Sequence, residues 1–156
     1  LNKEPVKRVN KKLKEFDQKL EVIVLESSAR TAQDAANSLN TKVGSIIKSL
    51  FLRTKKSFLL CLVAGDKRCS LNKIKKILNQ KDVSMANADQ VKEITGFTIG
   101  GVSPVGHLKP IKIFIDISLS RFGNIFAAAG HPNCIFKINF EDLKKITNGE
   151  VMDICE

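Results

Sequence analysis

Apolar positions along this chain fall into short segments with two distinct periods. Val6, Val9, Leu13, Phe16 and Leu20 recur at spacings of three and four, which puts them on one stripe of a helix. The opposite face carries Lys7, Arg8, Lys11, Lys12, Lys14 and Lys19. Val22 to Leu25 reads as a short strand, and Thr31 followed by Asp34 signals a capped helix through Ala32, Ala35, Ala36 and Leu39. From Ser45, two apolar runs, SIIKSLFLRT and SFLLCLVAG, meet at a Lys-Lys turn and predict a hairpin of well-buried strands. Asp66 to Ser70 is a charged turn, Leu71, Ile74, Ile77 and Leu78 mark a short amphipathic helix, and Val83 to Ala86 reads as another strand. Asn87 with Gln90 predicts a helix through Ile94 that Gly96 terminates. Strands are expected at Ile111 to Ile115, Ile125 to Ala129 and Ile135 to Ile138, and Asn139 with Asp142 opens a last helix that closes near Asn148 and Gly149. The elements interleave without a strict βαβ repeat. The expected fold class is therefore mixed α/β (α+β), a curled mixed sheet with a barrel-like core and helices outside.

Composition narrows the picture. At 156 residues, 43% hydrophobic and 27% charged, the chain suits one domain over 1–156, with the N-terminal amphipathic helix as part of it. The longest apolar run, Phe58 to Ala64, is far short of the ~20 residues a bilayer span needs, so no membrane partner is expected. Cys61, Cys69, Cys134 and Cys155 show no CxxC spacing and no paired histidines, which argues against a zinc site. Reduced thiols and a cytoplasmic setting are expected, with Cys61 and Cys134 as small core residues. No metal and no cofactor is expected. A net charge of +10 favours an anionic partner, and nucleic acid is the common one. Lysines predominate and Trp and Tyr are absent, which suits phosphate attraction better than base reading. The lysine face of the first helix is either a phosphate-attracting surface or a solvated one, and both readings stand.

The densest concentration of unusual residues is Gly96 to His107, GFTIGGVSPVGH, with four glycines, a proline, a serine and a histidine in twelve residues. Gly100 and Gly101 have no side chains to shield their amides, and Pro104 stiffens the bend. Such a stretch can aim N–H groups at a ligand or can simply connect two elements. It is not a phosphate loop, because His107 and Leu108 stand where Lys and Ser/Thr are required, and it has no GxGxxG spacing.

This loop resembles the signature loop of the YbaK/prolyl-tRNA editing family, which hydrolyses wrongly charged aminoacyl-tRNAs. The resemblance continues through IIKSL (Ile46 to Leu50), VAGDKR (Val63 to Arg68) and AAAGHP (Ala127 to Pro132), and covers about residues 28 to 155. It implies the family's curled mixed fold and an aminoacyl-tRNA deacylase acting in trans. The substrate would be a small mischarged amino acid (Ser/Thr, or Ala/Cys) on a tRNA acceptor end, with a synthetase as a further candidate partner. The competing reading is a non-catalytic module that binds tRNA ends or other nucleic acid.

Lys48 is the only charge between Val43 and Leu52; in a strand it shares its face with Ile46 and Leu50 and needs an anionic or carbonyl partner. In a helical segment it would snorkel to solvent instead. The resemblance assigns it the family's functional lysine. The implied catalytic set is Lys48 with the backbone of Gly100 and Gly101, which would oppose charge on the ester carbonyl as an oxyanion hole does. The candidate substrate-binding set is Ser49, Phe97, Ser103, Pro104, His107 and His131, with Ser49 and Ser103 as pocket hydroxyls and His107 either capping the turn or lining the pocket. A lone histidine such as His131 is usually structural or exposed, but it matches a position where some branches of the family carry a substrate-contacting histidine. Asp66 and Asp116 are read as a helix cap and a strand-end turn residue. No Ser/His/Asp or Cys/His spacing offers a covalent nucleophile, so water attack on an activated ester is the expected chemistry. The resemblance also ranks the substrates: Ser49 stands where the alanine-removing branch has Asn, and the cysteine-removing branch lacks a histidine at the place of His131. These departures lean toward serine or threonine, with alanine next.

Overall fold

The computed structural model describes residues 3–156, and within them the sequence periods become five helices and eight strands. The helices are α1 (Glu4–Phe16), α2 (Ala32–Leu39), α3 (Leu71–Leu78), α4 (Ala88–Thr95) and α5 (Phe140–Thr147). The strands are β1 (Ile23–Val24), β2 (Ile47–Arg53), β3 (Phe58–Ala64), β4 (Ser84–Met85), β5 (Lys112–Asp116), β6 (Ile125–His131), β7 (Cys134–Ile138) and β8 (Glu150–Met152).

The capping signals act as expected. Thr31 Oγ1 accepts from the Asp34 N–H, and Asn87 and Gln90 form a reciprocal capping box at α4. Helices α2, α3 and α5 stop at Asn40, Asn79 and Asn148, each in the left-handed region, and α4 stops at Gly96 with φ 78°. Helix α1 is shorter than its apolar period. The Asp17 side chain accepts from the Lys19 N–H, an Asx turn that competes with another helical turn, so Leu20 lies beyond the helix. Asp66 does not cap a helix. Ser70 caps α3, and Asp66 instead pairs with Arg121 through both carboxylate oxygens, at 2.7 and 3.0 Å. Asp116 is the strand-end residue expected of it, accepting from Ser118 at the start of a 3-10 turn over Ile117–Arg121.

Two open sheets replace the single curled one. A five-stranded mixed sheet has the order β4-β2-β3-β5-β8, antiparallel across β4, β2 and β3 and parallel from β3 through β5 to β8. A three-stranded antiparallel sheet has the order β1-β7-β6. A single parallel bridge, Ile46 to Phe126, links them, and neither sheet closes into a barrel. The largest core lies where α1 and both sheets meet, around Val9, Leu13, Leu60, Leu62, Ile125 and Phe136. On the other face of the larger sheet, Leu52, Leu59, Cys61 and Val63 pack with Ile74 of α3.

Arg8 fixes the relation between α1 and the Gly-rich loop. Its guanidinium donates to the carbonyls of Gly106 at 2.9 Å, Gly96 at 3.0 Å and Thr95 at 3.3 Å, pairs with Glu4, and lies 4.9 Å from the centre of the Phe97 ring. One side chain from the lysine-rich face thus clamps both ends of the loop. Gly106, with φ 82°, sits so close to α1 that a Cβ there would lie 3.2 Å from backbone atoms of Arg8 and Val9. We expect Arg8→Ala to lower stability by about 2–3 kcal/mol, because three carbonyls lose a charged donor. Urea denaturation measures the loss, and limited proteolysis should cut first within Gly96–His107; an unchanged midpoint would refute the clamp.

Candidate active site

A concave cavity of about 460 Å³ opens between α2, β2, β6 and the Gly-rich loop. Much of its wall is small and apolar, contributed by Ala29, Ala32, Ala35, Ala127 and Ala128, with Ile46 and Phe126 beside them. Its size is that of an ordinary small-molecule site.

Strand β2 supplies the polar part because β4 is too short to cover it. β4 pairs only with Leu52 and Arg53, so the edge of β2 from Ile47 to Leu50 borders the cavity. Alternate residues of an antiparallel strand turn their N–H and C=O groups to opposite edges. The Phe51 carbonyl accepts from Ala86 on the β4 side, so the main-chain groups of Ser49, two residues earlier, are also turned away from β3. Side chains alternate as well: Ile47 and Phe51 enter the larger core, and Leu50 and Leu52 pack on the opposite face. Ser49 Oγ is buried and has no hydrogen-bond partner among the described residues. Leaving a buried hydroxyl unpaired costs roughly 1–3 kcal/mol, which a ligand atom at the right place would recover.

Lys48 and Gly100 line this same cavity. The Lys48 ammonium finds the carbonyl partner its position demands, donating to the Lys67 carbonyl at 2.6 Å. That bond uses one of its three N–H donors. Gly100, with φ 96°, faces Arg30: a Cβ there would lie 3.2 Å from Arg30 Cγ. No backbone carbonyl outside regular structure accepts the Gly100 N–H among the described residues, whereas the Gly101 N–H donates to Thr98 at 3.0 Å. Gly101 is buried against Gly130 and His131, outside the cavity lining. Of the two adjacent glycines, only Gly100 lines the cavity.

The other loop residues turn inward. Phe97 is 1% exposed and belongs to the core, edge-on to His107 with ring centres 5.9 Å apart. Ser103 is fully buried: its Oγ accepts from the Val105 N–H, and its carbonyl lies 2.7 Å from His107 Nε2. Pro104 is buried with them. His131 ends β6, where its Nδ1 accepts from the Asn133 N–H at 3.0 Å. None of Phe97, Ser103, Pro104, His107 and His131 lines the cavity. Their role in this geometry is to hold the loop and the β6–β7 turn. Arg30 went unnoticed in the sequence; it lines the cavity mouth, is exposed, and pairs with no carboxylate among the described residues. Only its place ahead of the capped Thr31 hinted at it.

The model for the aminoacyl-tRNA editing domain matches residues 26–146, a span that includes α2, β2, the Gly-rich loop and β6. The chain belongs to the aminoacyl-tRNA editing domain family. A solved structure of a proposed trans-editing enzyme for prolyl tRNA synthetase is 34% identical, with a TM-score of 0.93, covering 100% of this chain and 99% of that one. Among curated relatives, the uncharacterized protein YwhH of Bacillus subtilis is 28% identical over 97% of both chains. The proline-tRNA ligase of Bacillus licheniformis is 29% identical over 79% of this chain, which spans only 23% of the ligase's length. The mixed architecture of this editing domain is thus the one its solved relative has.

Burial pushes His107 down to about 4, the Arg8 charge adds to the effect, and the hydrogen bond to Ser103 opposes it. Its folded value therefore lies below the ordinary one near 6.5, so the unfolded chain takes up the proton first as pH falls. The stability this group contributes is complete above about pH 6.5 and is lost between about 6.5 and 4, amounting to at most about 3 kcal/mol. Urea titrations at pH 7 and pH 4.5 should show a larger acid loss for the parent protein than for His107→Asn; parallel losses would contradict a neutral buried ring.

Proposed function

We propose that this editing domain is an aminoacyl-tRNA deacylase acting in trans, which frees a small hydroxylated amino acid, serine or threonine, from mischarged tRNA. The observation that carries this reading is that Lys48, Ser49 and Gly100 line one alanine-walled cavity.

The terminal adenosine and its ester would enter past Arg30, whose guanidinium suits an acceptor-end phosphate. The amino-acid side chain would sit against the alanine wall, its hydroxyl pairing with Ser49 Oγ after the serine side chain rotates toward the cavity. The Gly100 N–H and the Lys48 ammonium oppose negative charge on the carbonyl oxygen as a water attacks. The bond between the carbonyl carbon and the ribose oxygen breaks, the ribose oxygen takes up one of the water's protons as a hydroxyl, and the amino acid leaves with the water's oxygen. An aminoacyl ester is reactive already, so orientation and electrostatics are sufficient catalysis. Larger side chains would be rejected by volume, a filter of about 1–3 kcal/mol per methylene, which suits proofreading behind a synthetase. The basic surface, with a net charge of +10, would hold the tRNA body without reading its sequence.

A panel of tRNAs charged with Ser, Thr, Ala, Cys and Pro tests the reading directly. We expect release of Ser or Thr, and at least a 100-fold loss of turnover in Lys48→Ala at unchanged circular dichroism. Salt-sensitive tRNA binding without any release would select a binding module instead. Ser49→Ala should reduce kcat/KM on Ser- or Thr-tRNA by about tenfold relative to Ala-tRNA, the worth of one hydrogen bond. Equal losses on all substrates would remove Ser49 from side-chain recognition.

A further inference from the structure

Behind Lys48, on the face of the larger sheet away from α1, three cysteines meet. Cys61 of β3 is fully buried, Cys155 is 6% exposed, and Cys69, in the turn before α3, is partly exposed. Cys69 and Cys155 are partners in an isolated antiparallel bridge. The two flanking hydrogen bonds run from Ser70 N–H to the Ile154 carbonyl at 2.7 Å and from Glu156 N–H to the Arg68 carbonyl at 2.9 Å. This pattern makes Cys69 and Cys155 a non-hydrogen-bonded pair, the closer of the two kinds, with Cα atoms about 4.5 Å apart and both side chains on one face. A disulfide needs Cα atoms about 4.4–6.8 Å apart, so the backbone already holds these residues within bonding range.

We infer that Cys69 and Cys155 are a thiol modification site that closes to an intramolecular disulfide when the protein meets a peroxide. Cys69 is the residue a small oxidant reaches first, since it lines a surface hollow with Ser70, Asn72 and Glu156. The hydrogen bond from the Cys61 thiol holds the Cys69 thiol below its ordinary range, and the nearby Lys48 charge acts in the same direction. Burial and the Asp116 carboxylate push Cys155 up to about 12, so it waits as the protonated resolving thiol.

The Cys69 thiolate attacks one peroxide oxygen, the O–O bond breaks, and hydroxide leaves to become water, giving a sulfenic acid at Cys69. The Cys155 sulfur then attacks the Cys69 sulfur; the S–O bond breaks and the departing hydroxide takes up the Cys155 thiol proton as a second water. Two thiols are oxidised by two electrons and one peroxide is reduced to two waters. The crosslink fastens the C-terminal segment to the turn whose Lys67 carbonyl holds Lys48.

The test treats the full chain with stoichiometric hydrogen peroxide, quenches it, denatures it, alkylates free thiols and maps peptides by mass spectrometry. We expect two alkylations per chain instead of four, a peptide pair joining Cys69 to Cys155, and recovery of all four with dithiothreitol. Cys155→Ser, which keeps a donor toward Asp116, should form no intramolecular crosslink and should trap dimedone at Cys69. Four alkylations after peroxide, a Cys61–Cys69 crosslink, or dimedone labelling of Cys155 ahead of Cys69 would overturn the inference. No part of this readout depends on deacylation, so failure of the proposed activity leaves it testable.

Discussion

The brevity of β4 is the constraint on which the site depends. β2 is seven residues long, yet β4 pairs only with its last two residues and the segment after β4 only with the Phe51 carbonyl. An uncovered strand edge presents unpaired N–H and C=O groups, and proteins normally blunt such an edge or cover it. Here α2 and the end of the Gly-rich loop stand around it, and β6 meets it only at the bridge between Ile46 and Phe126, so the rest of the edge becomes the side of a cavity. Two adjacent residues of this edge, Lys48 and Ser49, then line the cavity. A longer β4 would pair with this edge and remove the site without altering a functional side chain.

Two cations illustrate how donor count separates structure from chemistry. Arg8 and Lys48 both donate to backbone carbonyls, and neither is free in solvent. Arg8 commits four of its five N–H donors to three carbonyls and Glu4, with the Phe97 ring against it, so its fork is held by the fold. Lys48 gives one bond to Lys67 and keeps two N–H donors on a rotatable stem. The carbonyl therefore positions the ammonium without consuming it.

Local chemistry made the elements legible and left the distances hidden. Thr31 with Asp34, and Asn87 with Gln90 and Gly96, announce helix ends because the capping atoms lie within a few residues of one another. The hairpin of β2 and β3 follows from two apolar runs and a lysine turn. β8 was invisible: three residues, Glu150–Met152, join the sheet through parallel pairing with β5 and carry no pattern of their own. For the site, Lys48, Ser49 and Gly100 were readable from the resemblance and do share a cavity. Phe97, Ser103, Pro104 and His107 were candidate pocket residues because they belong to the stretch that carries the resemblance. Their burial is set by α1, about ninety residues upstream, and no local period carries that information. Arg30 was missed for the converse reason, since an exposed arginine before a helix looks like any other until Gly100 is placed beside it.

The dependence on α1 also shows that the fold unit is larger than the matched family segment. Residues 26–146 contain the cavity but exclude α1 and β8. Yet Val6, Val9 and Leu13 are essentially fully buried in the principal core, and Gly130 and Gly106 leave room only for the backbone of α1. At Gly130, with φ 93°, a Cβ would come within 3.0 Å of the Pro5 backbone, so a side chain there would push the helix off β6. The loop bearing Gly100 is thus shaped from outside the segment that identifies the family. Cutting the chain at the boundary of that match would leave Lys48, Ser49 and Gly100 present in sequence, with nothing to hold the third of them in place.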